Sequence, residues 1–231
     1  MKKELIILGA TGNLGRSVID SFPLSDYDRI FLAGRNTAKI SDRTGSYEII
    51  QTGDFSDEDS IRNVFRRFEP GKDKLFFLFS TAGGYFGGKN LWETEEKNFR
   101  AMLETNLVSS FFILKYFSLL VEKSGGGSIC LTSAMTSLKA EKGKSAYGAS
   151  KCAMNYLVKT LAEEGRQIGL AVNAVAPFII DSEENREWVK DRSTLVSPED
   201  IGRIVYDLFK NFTVTTGNII EVPFTLNKVQ Y

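Results

Sequence analysis

Apolar residues fall into short continuous runs separated by stretches of helical periodicity. The first run, Leu5-Ile6-Ile7-Leu8, stops at Gly9, the pattern of a strand covered on both faces of a parallel sheet. Comparable runs occupy 30–33, 75–80, 128–132, 170–176 and 218–222, with a weaker one at 47–51. Between them the spacing predicts helices over 14–22, 57–68, 94–121, 146–166 and 198–210. Regular alternation of strand and helix with short connections predicts an α/β fold, a doubly wound parallel sheet in three α/β/α layers.

Local chemistry marks several boundaries. Ser56-Asp57-Glu58-Asp59 puts a hydroxyl and carboxylates where a helix exposes free N–H groups. Ser197 before Pro198 joins an N-cap residue to a proline at the first helical position. Gly125-Gly126-Gly127 reads as the loop before the 128–132 strand. With no repeat and no long linker, residues 1–231 read as one domain, with a substrate lobe around 178–197.

Composition narrows the chemistry. The 29 basic and 29 acidic side chains cancel, which disfavours nucleic-acid backbones and anionic membranes as partners. The chain has no histidine, which removes a Ser-His-Asp triad, a Cys-His dyad and any imidazole metal site. Cys130 and Cys152 are too few for a cysteine-built zinc site or a disulfide framework, so no metal is expected. The apolar run after Met1-Lys2-Lys3-Glu4 is too short for a signal segment, and 107–121 is short for a membrane span and carries Lys115. A cytoplasmic protein is expected, whose chemistry rests on Tyr, Lys, Ser, Asp, Glu or a bound cofactor.

Gly9-Ala10-Thr11-Gly12-Asn13-Leu14-Gly15 follows the first strand and opens the first helix. A glycine turn there lets backbone approach a pyrophosphate, while the helix start offers N–H groups to the anion. A Rossmann-type dinucleotide site is the functional reading, a plain tight turn the structural one. After the second strand the chain reads Gly34-Arg35-Asn36, with no acid for a ribose 2′-hydroxyl and an arginine for a 2′-phosphate. This favours NADP(H) over NAD(H); the alternative is that Arg35 is a solvated loop charge.

Tyr147 and Lys151 stand four apart near the start of a predicted helix, on one face and one turn apart. A free tyrosine has a pKa near ~10, too high for efficient proton transfer at neutral pH. A neighbouring ammonium stabilises the phenolate, and this lets tyrosine replace the missing histidine.

The segments Gly9–Gly15, Ala82-Gly83, Asn106, 128–133, 147–151, Asn173-Ala174-Val175-Ala176-Pro177 and Thr216-Gly217 occur in an order that resembles the short-chain dehydrogenases/reductases, over nearly the whole chain. The resemblance implies Tyr147 as acid/base toward the substrate oxygen, with Lys151 tuning it and holding the nicotinamide ribose. Asn106 resembles the helix asparagine that anchors a relay water. Asp54-Phe55 resembles the acid-bearing turn beside the adenine amino group, and Ala82-Gly83 the turn beside its ribose. Pro177, Ile180 and Ser182 match positions at the nicotinamide carboxamide. Homodimers or homotetramers through the helices around 99–117 and 147 are also implied, as is a small-molecule substrate.

Four departures stand out. The glycines are spaced three and three, where the family commonly has four and then two. Ser80-Thr81 stand where asparagines are usual. The substrate-orienting serine, about thirteen residues before the tyrosine, falls at Ala134, and a one-residue insertion would bring in Ser133, the residue favoured here. Phe178 replaces the glycine after the proline, and the tail lacks a glycine pair. An alanine near the serine site and the 181–188 segment also resemble the dihydropteridine reductases.

An NADP(H)-dependent oxidoreductase acting on a carbonyl/alcohol pair is therefore the leading expectation, with a dihydropteridine-reductase-like enzyme or a catalytically silent NADP-binding regulator as alternatives. An epimerase or dehydratase fits less well, because there is little room for a sugar-nucleotide domain. A small or planar substrate is expected at the 178–197 lobe, with Trp188 as lid or packing residue and Tyr85 and Phe86 opposite.

Overall fold

The computed structural model describes residues 1–41 and 45–225. Seven parallel strands form one sheet in the order β3-β2-β1-β4-β5-β6-β9. They are β1 (Lys2–Leu8), β2 (Arg29–Gly34), β3 (Tyr47–Gln51), β4 (Lys74–Ser80), β5 (Gly127–Thr132), β6 (Leu170–Pro177) and β9 (Ile219–Val222). All seven predicted strands are present. The sheet is doubly wound, and it switches direction between β1 and β4.

Because side chains alternate across a strand, the central strands feed two cores. Ile6, Leu8, Phe31, Phe76, Leu78 and Val172 pack on one face beneath α2 (Glu58–Phe65), α4 (Ser109–Glu122) and α5 (Ser145–Glu164). Leu5, Ile7, Leu32, Phe77 and Phe79 pack on the other beneath α1 (Asn13–Val18) and α7 (Pro198–Lys210). Burying a large apolar side chain gains roughly 1.5–3 kcal/mol, so both layers hold the strand ends rigidly in place.

The predicted helix over 94–121 is divided. Its first part is α3 (Glu96–Met102), and Leu103–Val108 then forms a wide π turn before α4. Ser109 and Ser110 donate from their hydroxyls to the carbonyls of Thr105 and Asn106, each at 2.6 Å. Such bonds from a serine hydroxyl to the carbonyl four residues back tie the π turn to the start of α4. Local caps follow the expected chemistry with one change. Ser197 Oγ accepts from the amides of Glu199 and Asp200 as foreseen, but α2 is capped by Asp57, whose carboxylate accepts from Asp59 N. The hydroxyl of Ser56 turns back to Asp54 instead, at 2.8 Å.

The segment after β6 forms a small lobe on the sheet. Strands β7 (Ile179–Ile180) and β8 (Leu195–Val196) pair in parallel and flank the short α6 (Glu183–Trp188). Among the described residues no helix is long and apolar enough to cross a membrane.

Candidate active site

At the carboxyl end of β1 the chain turns sharply at Gly9, whose φ is +81°. A Cβ there would stand 2.5 Å from Thr81 Oγ1. One at Gly15 would stand 2.2 Å from the Gly9 carbonyl oxygen, so α1 packs directly against the turn. Despite its even spacing, the glycine triplet builds a backbone cradle. The cradle opens into a cleft of about 380 Å³ beside the switch in strand order, the place where open α/β sheets bind ligands.

Gly9, Thr11, Gly12, Arg35, Asn36, Asp54, Phe55, Ala82 and Gly83 all line this cleft. Leu14 and Gly15 lie buried under the turn and shape it without lining it. Asn13 and Ser182 line a neighbouring polar cleft between α1 and the lobe. Asp54 accepts from the amide and hydroxyl of Ser56, at 2.9 and 2.8 Å. Those bonds, with a smaller contribution from Arg35, hold its carboxyl below the usual range. Lys39 lines both clefts and was missed in the sequence. Its signal was a second cation four residues beyond Arg35.

Asn106 and Lys151 converge beside Gly83, and Tyr147 stands one helical turn before Lys151 on α5. A Cβ on Gly83 would lie 2.9 Å from Asn106 Oδ1 and 3.0 Å from Lys151 Nζ. Asn106 is fully buried and satisfied. Its Oδ1 accepts from Gly84 N, and its Nδ2 donates to Gly84 O and Ser150 Oγ, at 3.0 to 3.1 Å. The asparagine thus ties the loop after β4 to α5 next to Tyr147.

Lys151 is buried, and its ammonium donates to the Thr132 carbonyl at 2.7 Å. It stands 6.0 Å from the centre of the Tyr147 ring. Burial pulls its pKa down to about 8. Burial, assisted by Tyr85 and Glu141, pushes the Tyr147 phenol up to about 12. This corrects the expectation that Lys151 acidifies the phenol. A dry corner disfavours both ionised forms, and the ammonium is aimed at a carbonyl.

Ser133 also departs from its expected role. It is buried, and its hydroxyl donates to Asn155 Oδ1 at 2.6 Å, while Asn155 Nδ2 donates to Ser137 Oγ at 2.7 Å. Ser137 in turn donates to the Ala134 carbonyl at 2.6 Å. The hydroxyl favoured for orienting a substrate is therefore spent on joining β5 to α5. Ala134, next in the chain, has no hydroxyl to offer.

The nicotinamide-end positions sit in the lobe. Pro177 is buried in β6, and the Ile180 carbonyl accepts from Asn185 Nδ2 at 2.8 Å. Ser182 Oγ caps α6. Trp188 is 62% exposed, so it is not a packing residue. Tyr85 sets its ring edge-on to Tyr147 with centroids 5.0 Å apart, though it is itself 61% exposed. The described residues contain no cluster of three potential metal ligands.

A sequence profile of the short chain dehydrogenases matches residues 3–193. The chain belongs to the short-chain dehydrogenase/reductase family. Among its relatives is a dihydropteridine reductase of Dictyostelium discoideum, 28% identical over 83% of this chain and 80% of that one. A 3-oxoacyl-[acyl-carrier-protein] reductase of Homo sapiens is 27% identical over 81% and 79%. The solved structure of ElxO with NADP bound superposes with a TM-score of 0.83 at 25% identity, over 96% of this chain and 97% of that one. This family of oxidoreductases binds nicotinamide cofactors, and its Rossmann-type fold is the fold found here.

Proposed function

We propose that the protein is an NADP(H)-dependent reductase of a small carbonyl compound, with Tyr147 as the proton donor. The observation that carries this reading is that Lys151 and Asn106 meet at Gly83, at the wall of a glycine-cradled cleft, with Tyr147 one helical turn from Lys151 on α5. Gly9, Gly12 and Gly15 suit the close approach of a pyrophosphate, and Arg35 with Lys39 suits a 2′-phosphate. The NADP in the similar ElxO structure supports the same choice.

A nicotinamide bound here supplies the hydride. The chain's own residues do the rest. Tyr147, held protonated by its buried site, donates from its hydroxyl to the carbonyl oxygen as negative charge develops there. Donation leaves a phenolate on Tyr147, with the Lys151 ammonium 6.0 Å from the ring centre as the nearby positive charge, and Lys151 keeps donors to offer to ribose hydroxyls. Asn106 fixes the loop carrying Gly83 and Gly84, which forms the edge of the corner. The 178–197 lobe closes the substrate side.

Ser133 brings a second reading forward. With its hydroxyl on Asn155 and an alanine following it, the corner offers the reacting group the Tyr147 phenol without a serine beside it. A dihydropteridine-reductase-like enzyme, whose substrate is not a chiral carbonyl to be oriented, needs that serine less. The Dictyostelium relative lends support. The protein is also read as a homodimer or homotetramer through α4 and α5, which leave Phe111, Leu119 and Tyr156 exposed. A cytoplasmic location suits its free thiols, Cys130 and Cys152.

The test is NADPH and NADH consumption with a panel of ketones, quinones and quinonoid pterins, with Tyr147→Phe alongside. Turnover of ketones supports the first reading, and turnover of pterins alone supports the second. Tight NADPH binding with no turnover of any compound means a silent regulator.

A further inference from the structure

Beyond the Tyr147 corner lies a cleft of about 600 Å³ whose walls are mainly apolar. Met135, Phe178, Pro223 and Phe224 supply the apolar surface, with Lys139 and Glu141 as the charged lining. Its position follows from the fold. Met135 continues from the end of β5, Phe178 from the end of β6 and Pro223 from the end of β9. Lys144, the residue before α5, joins the cleft to the helix carrying Tyr147. Its ammonium pairs with Glu141 at 2.7 Å and lies 5.8 Å from the centre of the Phe178 ring.

Two features define what fits. Phe178 is 40% and Phe224 51% exposed, so both rings leave apolar surface uncovered. A flat apolar group between them would remove that surface from water. The tail holding Phe224 is anchored, because Thr225 Oγ1 accepts from Ser197 N and donates to Asp200. The lining carries one cation and one anion, and the carboxylate is the more fully engaged of the two. Glu141 is already paired with Lys144, and it accepts a hydrogen bond from Thr136 Oγ1 at 2.5 Å. Asp191, beside the opposite wall, is engaged by the amide and hydroxyl of Ser193. Lys139 acts on the Glu141 carboxylate through space, but its ammonium has no ion pair or side-chain hydrogen bond among the described residues.

We propose that the substrate carries a flat apolar body with an anionic group, a carboxylate, remote from its reacting carbonyl, and that Lys139 recognises that group. The proposal rests on the reductase reading for the location of the reacting carbonyl. An uncharged aromatic substrate would use the same walls and leave Lys139 idle.

Binding to the NADP⁺-loaded protein, where a ketone is held without reduction, tests this apart from catalysis. The probes are 4-acetylbenzoate, 6-acetyl-2-naphthoate and their methyl esters, titrated by calorimetry. At least one acid is expected to bind about threefold or more tighter than its own ester, the size of effect an accessible ion pair gives. Added salt should shrink that preference. Lys139→Met should bring the acid to its ester's affinity, and Lys139→Arg should keep the preference. Equal affinity for acids and esters, or a preference that survives in Lys139→Met, overturns the proposal. An acid bound selectively through Lys139 but never reduced by NADPH would uphold the anion-selective cleft and count against the reductase reading.

Discussion

The hydroxyl of Ser133 donates to the side-chain oxygen of Asn155 at 2.6 Å, two helical turns along α5 from Tyr147. The bond is buried at both ends and joins the end of β5 to the helix that carries the proposed acid. Ser133→Ala should therefore act mainly on stability. Leaving the Asn155 oxygen without its donor costs about 1–3 kcal/mol, read as a lowered midpoint in urea. Turnover at saturating substrate should fall only a few-fold. A loss of activity as deep as that of Tyr147→Phe, in a folded variant, would restore Ser133 to the reaction.

The buried ammonium of Lys151 has a thermodynamic signature. Its folded pKa of about 8 lies below that of an unfolded lysine, so keeping it charged costs stability below pH 8. Between about pH 8 and the ordinary lysine range the folded protein sheds this proton first, and stability rises with pH. Lys151→Met has no such proton. Its stability relative to the wild type should be greater at pH 7 than at pH 10, by a difference on the order of 3 kcal/mol. Denaturant melts of both proteins at the two pH values measure it, and parallel pH dependences would contradict it.

The two shifted groups also set the pH profile of turnover. Tyr147 keeps its proton across the neutral range because burial raises it to about 12. Carbonyl reduction should therefore be level from pH 6 to about 8 and decline as Lys151 loses its charge. Alcohol oxidation, which needs the phenolate, should climb with pH over the same range. Initial rates in both directions test this, and a reduction rate that rises with pH would contradict it.

At the other end of the cleft, Arg35 and Lys39 are both exposed and line the same wall. Arg35→Ala should weaken NADPH binding about tenfold, the loss of one charge-assisted contact. NADH affinity should hardly change. Lys39→Ala should produce a smaller effect of the same sign, and salt should weaken NADPH more than NADH. Fluorescence titration of both cofactors provides the comparison.

The fold was legible because the buried parallel strands are nearly continuous apolar runs and the glycine turn follows the first of them. The candidate site was legible only where backbone decides its position. Gly9, Arg35 and Asp54 lie at strand ends, and those positions follow from the strand assignment. Side-chain direction does not. Nothing in the sequence shows that Ser133 turns into the core toward Asn155, twenty-two residues away. The π turn at Leu103–Val108 was equally hidden, because one widened turn barely disturbs helical periodicity. Tyr147 and Lys151 fall one turn apart on α5, as their spacing implies, but the ammonium's aim at Thr132 depends on where β5 ends.

The most direct test is rapid-mixing measurement of NADPH oxidation on Tyr147→Phe and wild-type protein, each preloaded with cofactor and mixed with a carbonyl substrate that the wild type reduces. The phenol as proton donor predicts unchanged NADPH affinity and a hydride-transfer rate at least ~10²-fold slower in the variant. Equal rates in the two proteins would contradict it.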